Sequence, residues 1–175
     1  IQMHGYVCFL VGGCVRDHLL GRKIHDYDLT SNATPDQLIA CFEHTSCKLI
    51  MSGLKHGTIS VLYEDMMMEI TTYRKESGYE RHRKPKQVSF CDDLMTDLSR
   101  RDFTINAIAY HPSTGLIDPF HGQSDLRNKV IRCVGKSEQR FEEDALRILR
   151  ALRFSFQLAF RLDPACEQAI KDKAH

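Results

Sequence analysis

The sequence predicts an α+β fold, a mixed sheet with helices followed by an all-α segment. Three observations carry that expectation. Short runs of β-branched and aromatic residues alternate with helical patterns as far as residue 73. Glycine and acidic turn residues close those runs. Beyond Arg140, apolar residues recur at three- and four-residue steps.

Taken in order, "YVCFLVGG" (6–13) reads as a buried strand running into a glycine turn. "VRDHLLG" (15–21) is a short helix stopped by Gly21. "DYDLT" (26–30) alternates, with Asp26, Asp28 and Thr30 on one side and Tyr27 and Leu29 on the other, a strand pattern. "TPDQLIACFE" (34–43) starts a helix with Thr34 as N-cap and Pro35 at the first helical position. "GTISVLY" (57–63) and "MMMEITTYR" (66–74) form two strands joined at Glu64-Asp65. Residues 74–87 carry six lysines and arginines against two glutamates, punctuated by Gly78 and Pro85, and predict a mobile basic loop. "RRDFTINAIAYH" (100–111) predicts a helix with Phe103, Ala107 and Tyr110 on one side, and "TGLIDPFHG" (114–122) a turn-rich connection. From Arg140 a helical stretch presents Phe141, Ala145, Leu149, Leu152 and Phe156 as its apolar face. A domain change is expected near residue 135, dividing the chain into 1–134 and 135–175. The chain begins at Ile1 and ends inside the helical pattern "PACEQAIKDKAH", so a fragment is expected.

Composition narrows the function classes. The chain is 42% hydrophobic and 27% charged, ordinary for a soluble globular protein. Its net charge of +1 supplies no global field for nucleic acid or membrane, so any such partner must be met by local clusters. The longest apolar stretch, "YVCFLVGGCV", is too short to span a bilayer and lacks a basic leader, so no membrane is expected. The seven cysteines are odd in number and include no C-x-x-C pair. They read as reduced, apolar-packed thiols, which fits a cytoplasmic protein.

Several clusters can carry chemistry. Side chains two apart on a strand leave the same face about 7 Å apart, so Asp26 and Asp28 could ligate a hard divalent cation. A two-metal phosphoryl-transfer site wants a third carboxylate, and Glu69, flanked by apolar residues in "MEITTYR", is the candidate. The plainer alternative for Asp-x-Asp is a surface turn. Gly12 and Gly13, between a strand and a helix, let backbone N–H groups approach a phosphate, and Arg16 could clamp it; a tight turn is the alternative. Arg101 could meet a triphosphate and Asp102 a ribose hydroxyl, or the two could simply open a helix. Asp144, Arg147, Arg150 and Arg153 recur every third residue as a row along one helix. An aspartate beside an arginine offers an acceptor and a fork of donors, enough to match the edge of a base. Intrahelical support on a wet face is the alternative.

In order along the chain, "LVGGCVRDHLLGRKIHDYDLT", "GLKHGTISV", "MEITTYR", "LSRRDFTINAIAY", "DPFHGQSDL" and "RFEEDALRILRALRF" resemble the class II CCA-adding tRNA nucleotidyltransferases, which share a catalytic domain with bacterial poly(A) polymerases. The resemblance implies a polymerase-β-like nucleotidyltransferase head over 1–134 and the start of a helical neck over 135–175, with body and tail absent. It implies Mg2+ held by Asp26 and Asp28, with Glu69 as third carboxylate. It implies nucleotide contacts from Gly13, Arg16 and Arg101, selection of CTP or ATP by Asp144 and Arg147, and support from Arg150 and Arg153. Residues 74–87 match the family's flexible loop. The implied partners are CTP, ATP and the tRNA 3′ end; a homodimer is left open. One departure stands out: where the family usually has Gly-Gly after "DPF", this chain has His121-Gly122. The rival expectations are a poly(A) polymerase, a non-catalytic RNA-binding remnant, and an HD-type phosphohydrolase suggested by His25-Asp26.

Overall fold

The computed structural model describes residues 1–80 and 84–173, and their side chains except at 76–80 and 84–87. The elements in chain order are β1 (Cys8–Val11), α1 (Gly13–Leu19), β2 (Tyr27–Ser31), α2 (Pro35–Phe42), β3 (Lys48–Ile50), β4 (Thr58–Tyr63) and β5 (Met66–Thr72). Next come β6 (Arg74–Glu80), β7 (Lys84–Phe90), α3 (Leu94–Ser99), β8 (Ala109–His111), β9 (Gly115–Ile117) and α4 (Gly122–Asn128). The chain continues through β10 (Val130–Ile131), α5 (Ser137–Glu143), α6 (Leu146–Leu158), β11 (Arg161–Leu162) and α7 (Pro164–Asp172). A seven-stranded mixed sheet in the order β3-β4-β5-β2-β1-β8-β9 organises them. Its one parallel pair, β2 with β5, lies at the centre.

One face of β2, β4 and β5 presents Leu29, Val61, Ile59 and Ile70 to α2, which contributes Leu38. That helix starts as its sequence demands: Thr34 and Gln37 form a reciprocal capping box, and Pro35 follows. Over β1 and β8 the opposite face is covered by Leu98 of α3 and by Tyr73. Over β3, β4 and β5 that face is not covered by α2.

Four expectations are corrected. Residues 74–87 are not a loop along their described length: β6 and β7 form an antiparallel ladder from Arg74–Phe90 to Glu80–Lys84; the part of the expectation on 81–83 lies outside the described residues. Residues 100–111 are not one helix. A single 3-10 turn at Thr104–Asn106 leads directly into β8. Every residue from Asp102 to Ala109 is buried, so the stretch has no wet face on which a helical period could be read. The connection 114–122 contains strand β9. The helix after Arg140 breaks at Asp144, whose backbone is extended (φ −146°). Because of that break α6 buries Ala151, Phe154 and Leu158 and leaves Leu149 62% and Phe156 86% exposed.

The expected all-α segment after residue 135 is also modified. Strand β11 pairs with β10. Phe141, Ala151, Phe154 and Cys166 share one core with Val15, Phe103 and Ile105, so these helices pack with the sheet side of the molecule rather than as a separate layer. All seven cysteines are free, four of them buried, as small apolar groups should be.

The His121-Gly122 departure now has a physical meaning. His121 sits at φ 60°, in the left-handed region that costs a side-chain-bearing residue energy. Gly122 has no such freedom to change: a Cβ there would lie 2.2 Å from the Thr104 carbonyl oxygen. His121→Gly is therefore expected to stabilise the fold by about 1 kcal/mol, read as a higher Tm.

Candidate active site

A cleft of about 780 Å³ opens where the C-terminal end of β1, the start of α1, the 100–102 segment and α6 meet. It gathers most of the residues singled out from the sequence: Gly12, Gly13, Arg16, Asp26, Asp28, Arg101, Asp102, Asp144, Arg147, Arg150 and Arg153 all line it. Seven arginines face five aspartates around its wall, so the cleft suits an anion richer in charge than chloride.

The carboxylates stand at one side. Asp28 is half-buried on β2 and Asp26 is exposed just ahead of that strand. Burial pushes the Asp28 carboxyl above its ordinary value; Arg101 opposes this, the Glu69 and Asp26 carboxylates add to it, and Arg16 opposes it. Crowded carboxylates of this kind are relieved by a cation. Glu69 is paired in register with Asp28 across β2 and β5, on the same sheet face. It is exposed, however, and does not line the cleft, so the expectation that burial forces it to take a metal is withdrawn. Among the described residues no three histidine, cysteine or acidic side chains already converge on one point. Asp26 and Asp28 nonetheless offer the oxygen donors that a hard divalent ion takes, with Glu69 adjacent.

The glycine turn is required by geometry. Gly12 has φ 73°, and a Cβ would lie 3.3 Å from Arg101 Nη1 and 3.5 Å from Asp28 Oδ2. Arg101 is placed by the buried Asp97, whose Oδ2 accepts from Arg101 Nη2 at 3.1 Å while its Oδ1 accepts from Arg100 Nη2 at 2.8 Å. Arg101 Nε is a buried donor with no hydrogen-bond partner among the described residues. Arg16 is buried, donating to Asn106 Oδ1 at 2.8 Å and to both oxygens of Asp17.

The expected row on one helix is rearranged. Asp144 lies in the break before α6, where its Oδ1 accepts from Leu146 N at 2.9 Å. Arg147 is buried and donates to Glu143 Oε2 at 2.6 Å and to the Arg100 carbonyl at 3.2 Å. Arg150 pairs with Asp102 at 2.6 Å. The arginines are thus not served by Asp144 alone. Asp102 also accepts from Phe103 N and Asn106 Nδ2, so protein donors occupy both its oxygens.

Sequence reasoning missed Asp97, Asn106, Glu143 and Phe154. Asp97 carried a legible signal, three and four residues before Arg100 and Arg101. Glu143 carried the same i, i+4 signal toward Arg147. Phe154 carried none: the guanidiniums of Arg16, Arg150 and Arg153 all lie within 5.4 Å of its ring centroid. An aromatic face collects cations from α1 and α6 that would otherwise repel one another.

Fold and cleft together define a mixed-sheet head that places a carboxylate pair at the edge of an arginine-walled cleft. The chain belongs to the Poly A polymerase head domain family, whose model matches residues 8–132. It is 52% identical over 172 residues to a CCA-adding enzyme of Lactobacillus johnsonii, covering 98% of this chain and 42% of that protein. It is 48% identical over 171 residues to the CCA-adding enzyme of a Staphylococcus aureus strain, again over 98% and 42%. Among solved structures, the Bacillus stearothermophilus CCA-adding enzyme in complex with CTP matches with TM-score 0.88 and 44% identity, over 99% of this chain and 40% of that one. A tRNA nucleotidyltransferase complexed with a primer tRNA and an incoming ATP analog matches with TM-score 0.79 and 33% identity, over 98% and 47%. The chain thus spans less than half the length of these relatives. Among the described residues no helix is long and apolar enough to cross a membrane.

Proposed function

We propose that this chain carries the catalytic head of a CCA-adding tRNA nucleotidyltransferase, which joins C and A from CTP and ATP to the 3′ end of tRNA with Mg2+ as its ion. The observation that carries this reading is the Asp26–Asp28 pair standing at the edge of an arginine-walled cleft. The relatives named as CCA-adding enzymes, and the similar structures holding CTP or a primer tRNA with an ATP analog, support it.

The residues divide the work. Arg16 and Arg101, beside the Gly12–Gly13 turn, bind the triphosphate oxygens and hold the α-phosphorus still. Asp26 and Asp28 would hold Mg2+, with Glu69 as the third carboxylate. When bound, two such ions would supply Lewis-acid activation of the attacking 3′-hydroxyl and charge for the departing pyrophosphate. Attack on the α-phosphorus is direct, and no covalent enzyme intermediate is needed. Asp144 and Arg147 present an acceptor and donors to the base edge. Arg150, fixed by Asp102, and Arg153 support the nucleotide from α6.

Because Arg147 is held by Glu143 and the Arg100 carbonyl, its fork has a fixed direction, which is what base selection requires. Arg147→Ala is expected to change the CTP-to-ATP preference by about tenfold or more while leaving the Mg2+ dependence in place. Competition between the two nucleotides for incorporation measures it, and an unaltered preference would remove the base-reading role.

A further inference from the structure

The three arginines around Phe154 are not held in the same way. Arg16, on α1, donates from Nε and Nη2 to the two Asp17 oxygens, both at 2.9 Å, and from Nη1 to Asn106 Oδ1 at 2.8 Å. Two of its five N–H groups remain. Arg150, on α6, donates from Nε to Asp102 Oδ2 at 2.7 Å. Asp102 Oδ1 accepts from Asn106 Nδ2 at 3.1 Å, so one polar relay runs from Arg16 to Arg150. Arg153 stands outside that relay. It is exposed, lines the cleft, and makes no hydrogen bond or ion pair among the described residues. Its partner is the Phe154 ring, whose centroid lies 4.9 Å from the guanidinium carbon. That ring is only 4% exposed and stands at 88° to the buried Phe103 ring, 5.8 Å away, which fixes its plane. Arg16 and Arg150 lie over the same ring at 5.0 and 5.4 Å.

We infer that Phe154 is a positioning residue for the nucleotide: its ring holds the otherwise unpaired Arg153 fork at the cleft and keeps α6 in register with Arg16 on α1. The inference rests on the nucleotidyltransferase reading. An exposed arginine with no partner samples many rotamers, and ordering it on binding costs affinity. Attraction to the ring face orders the fork beforehand and leaves all five of its N–H groups for phosphate or sugar oxygens. A carboxylate could order it too, but would compete with the anionic ligand for the same donors. The ring reads no base edge, so its effect falls on CTP and ATP alike.

The test measures transfer of CMP and AMP to tRNA lacking its terminal CCA by the protein at its natural length, well below the Tm of each variant. Phe154→Leu keeps a buried apolar side chain and removes the aromatic face. It is expected to raise the KM for CTP and for ATP alike by about fivefold, with kcat within about twofold. Phe154→Tyr keeps a ring and is expected to recover most of that loss, which a packing role alone would not produce. Arg153→Gln is expected to raise both KM values in the natural background and to add less than about twofold on top of Phe154→Leu. Equal KM values in Phe154→Leu and Phe154→Tyr, or full additivity of Phe154→Leu with Arg153→Gln, would overturn the positioning role and leave the nucleotidyltransferase reading standing. So would unchanged KM values in Arg153→Gln, an exposed substitution that decides the matter even where Phe154→Leu does not fold. Absence of nucleotide transfer in the unsubstituted protein would instead remove the nucleotidyltransferase reading, and the positioning role with it.

Discussion

Asp28→Ala is expected to lower nucleotide transfer by at least about 10³-fold, because preorganised charge at the reacting centre usually contributes more to catalysis than any other single effect. Asp28 is the inner of the two carboxylates. It lies beside Arg101 and Gly12 at the cleft and is paired with Glu69 across β2 and β5. Asp26→Ala should also be damaging, but Asp26 is exposed and ahead of the strand, where a water can replace some of its role. The folded protein should survive either change. The Asp28 carboxyl is costly to ionise where it stands, so its removal relieves burial and crowding rather than creating an unpaired charge. Retained thermal stability alongside lost transfer is the expected pattern, measured by kcat under saturating nucleotide and by Tm.

Asp97→Asn is expected to have the largest effect on stability, about 3 kcal/mol, because it removes one partner of a buried charge cluster. Asp97 is fully buried and accepts from Arg100, Arg101, Thr30 Oγ1 and Arg74 N. Burial alone would raise its carboxyl; the Arg100 and Arg101 guanidiniums outweigh that and hold it below the ordinary 3.8. The sign of the pH dependence follows. A depressed folded value contributes stability that is full above 3.8 and is lost as the pH falls through the folded value. The difference between the natural protein and Asp97→Asn should therefore be constant near neutral pH and should close in acid. Chemical denaturation at several pH values measures it. The substitution should also weaken nucleotide binding, since Arg101 loses the group that aims it at Gly12 and Asp28.

Features that depend only on neighbours along the chain were legible in the sequence. The Thr34-Pro35 helix start, the strand from Tyr27 through Asp28 to Thr30, which begins one residue after the expected Asp26, and the β4–β5 hairpin are of this kind. The errors share one cause, which is that burial is decided by the fold and not by the segment. Residues 102–109 are buried on every side, so their apolar spacing says nothing about a helix face. The charge of residues 74–87 hides a ladder whose backbone pairing does not depend on hydrophobic side chains. In the last third, a break at Asp144 resets the helical phase, and an apolar stripe read across it picked Leu149 and Phe156 where Ala151 and Phe154 are buried.

The site was legible as a set of parts but not as an arrangement. Gly12, Arg16, Asp28, Arg101 and Arg147 come from separate segments, and only the sheet order and the shared core bring them to one cleft. Which partner holds each charge could not be read from spacing. Arg150 is held by Asp102, 48 residues away in sequence, and not by Asp144. Glu69 looked buried from its neighbours, yet its alternation on β5 turns it outward beside Asp28.

The most direct measurement is incorporation of CMP and AMP, from CTP and ATP supplied separately and then together, onto tRNA lacking its terminal CCA, using the protein at its natural length. Divalent-ion-dependent addition of C and then A, abolished in Asp28→Ala, is the predicted result. Extension of any RNA with ATP alone would contradict it in favour of a poly(A) polymerase, and transfer that survives Asp28→Ala would contradict the site itself.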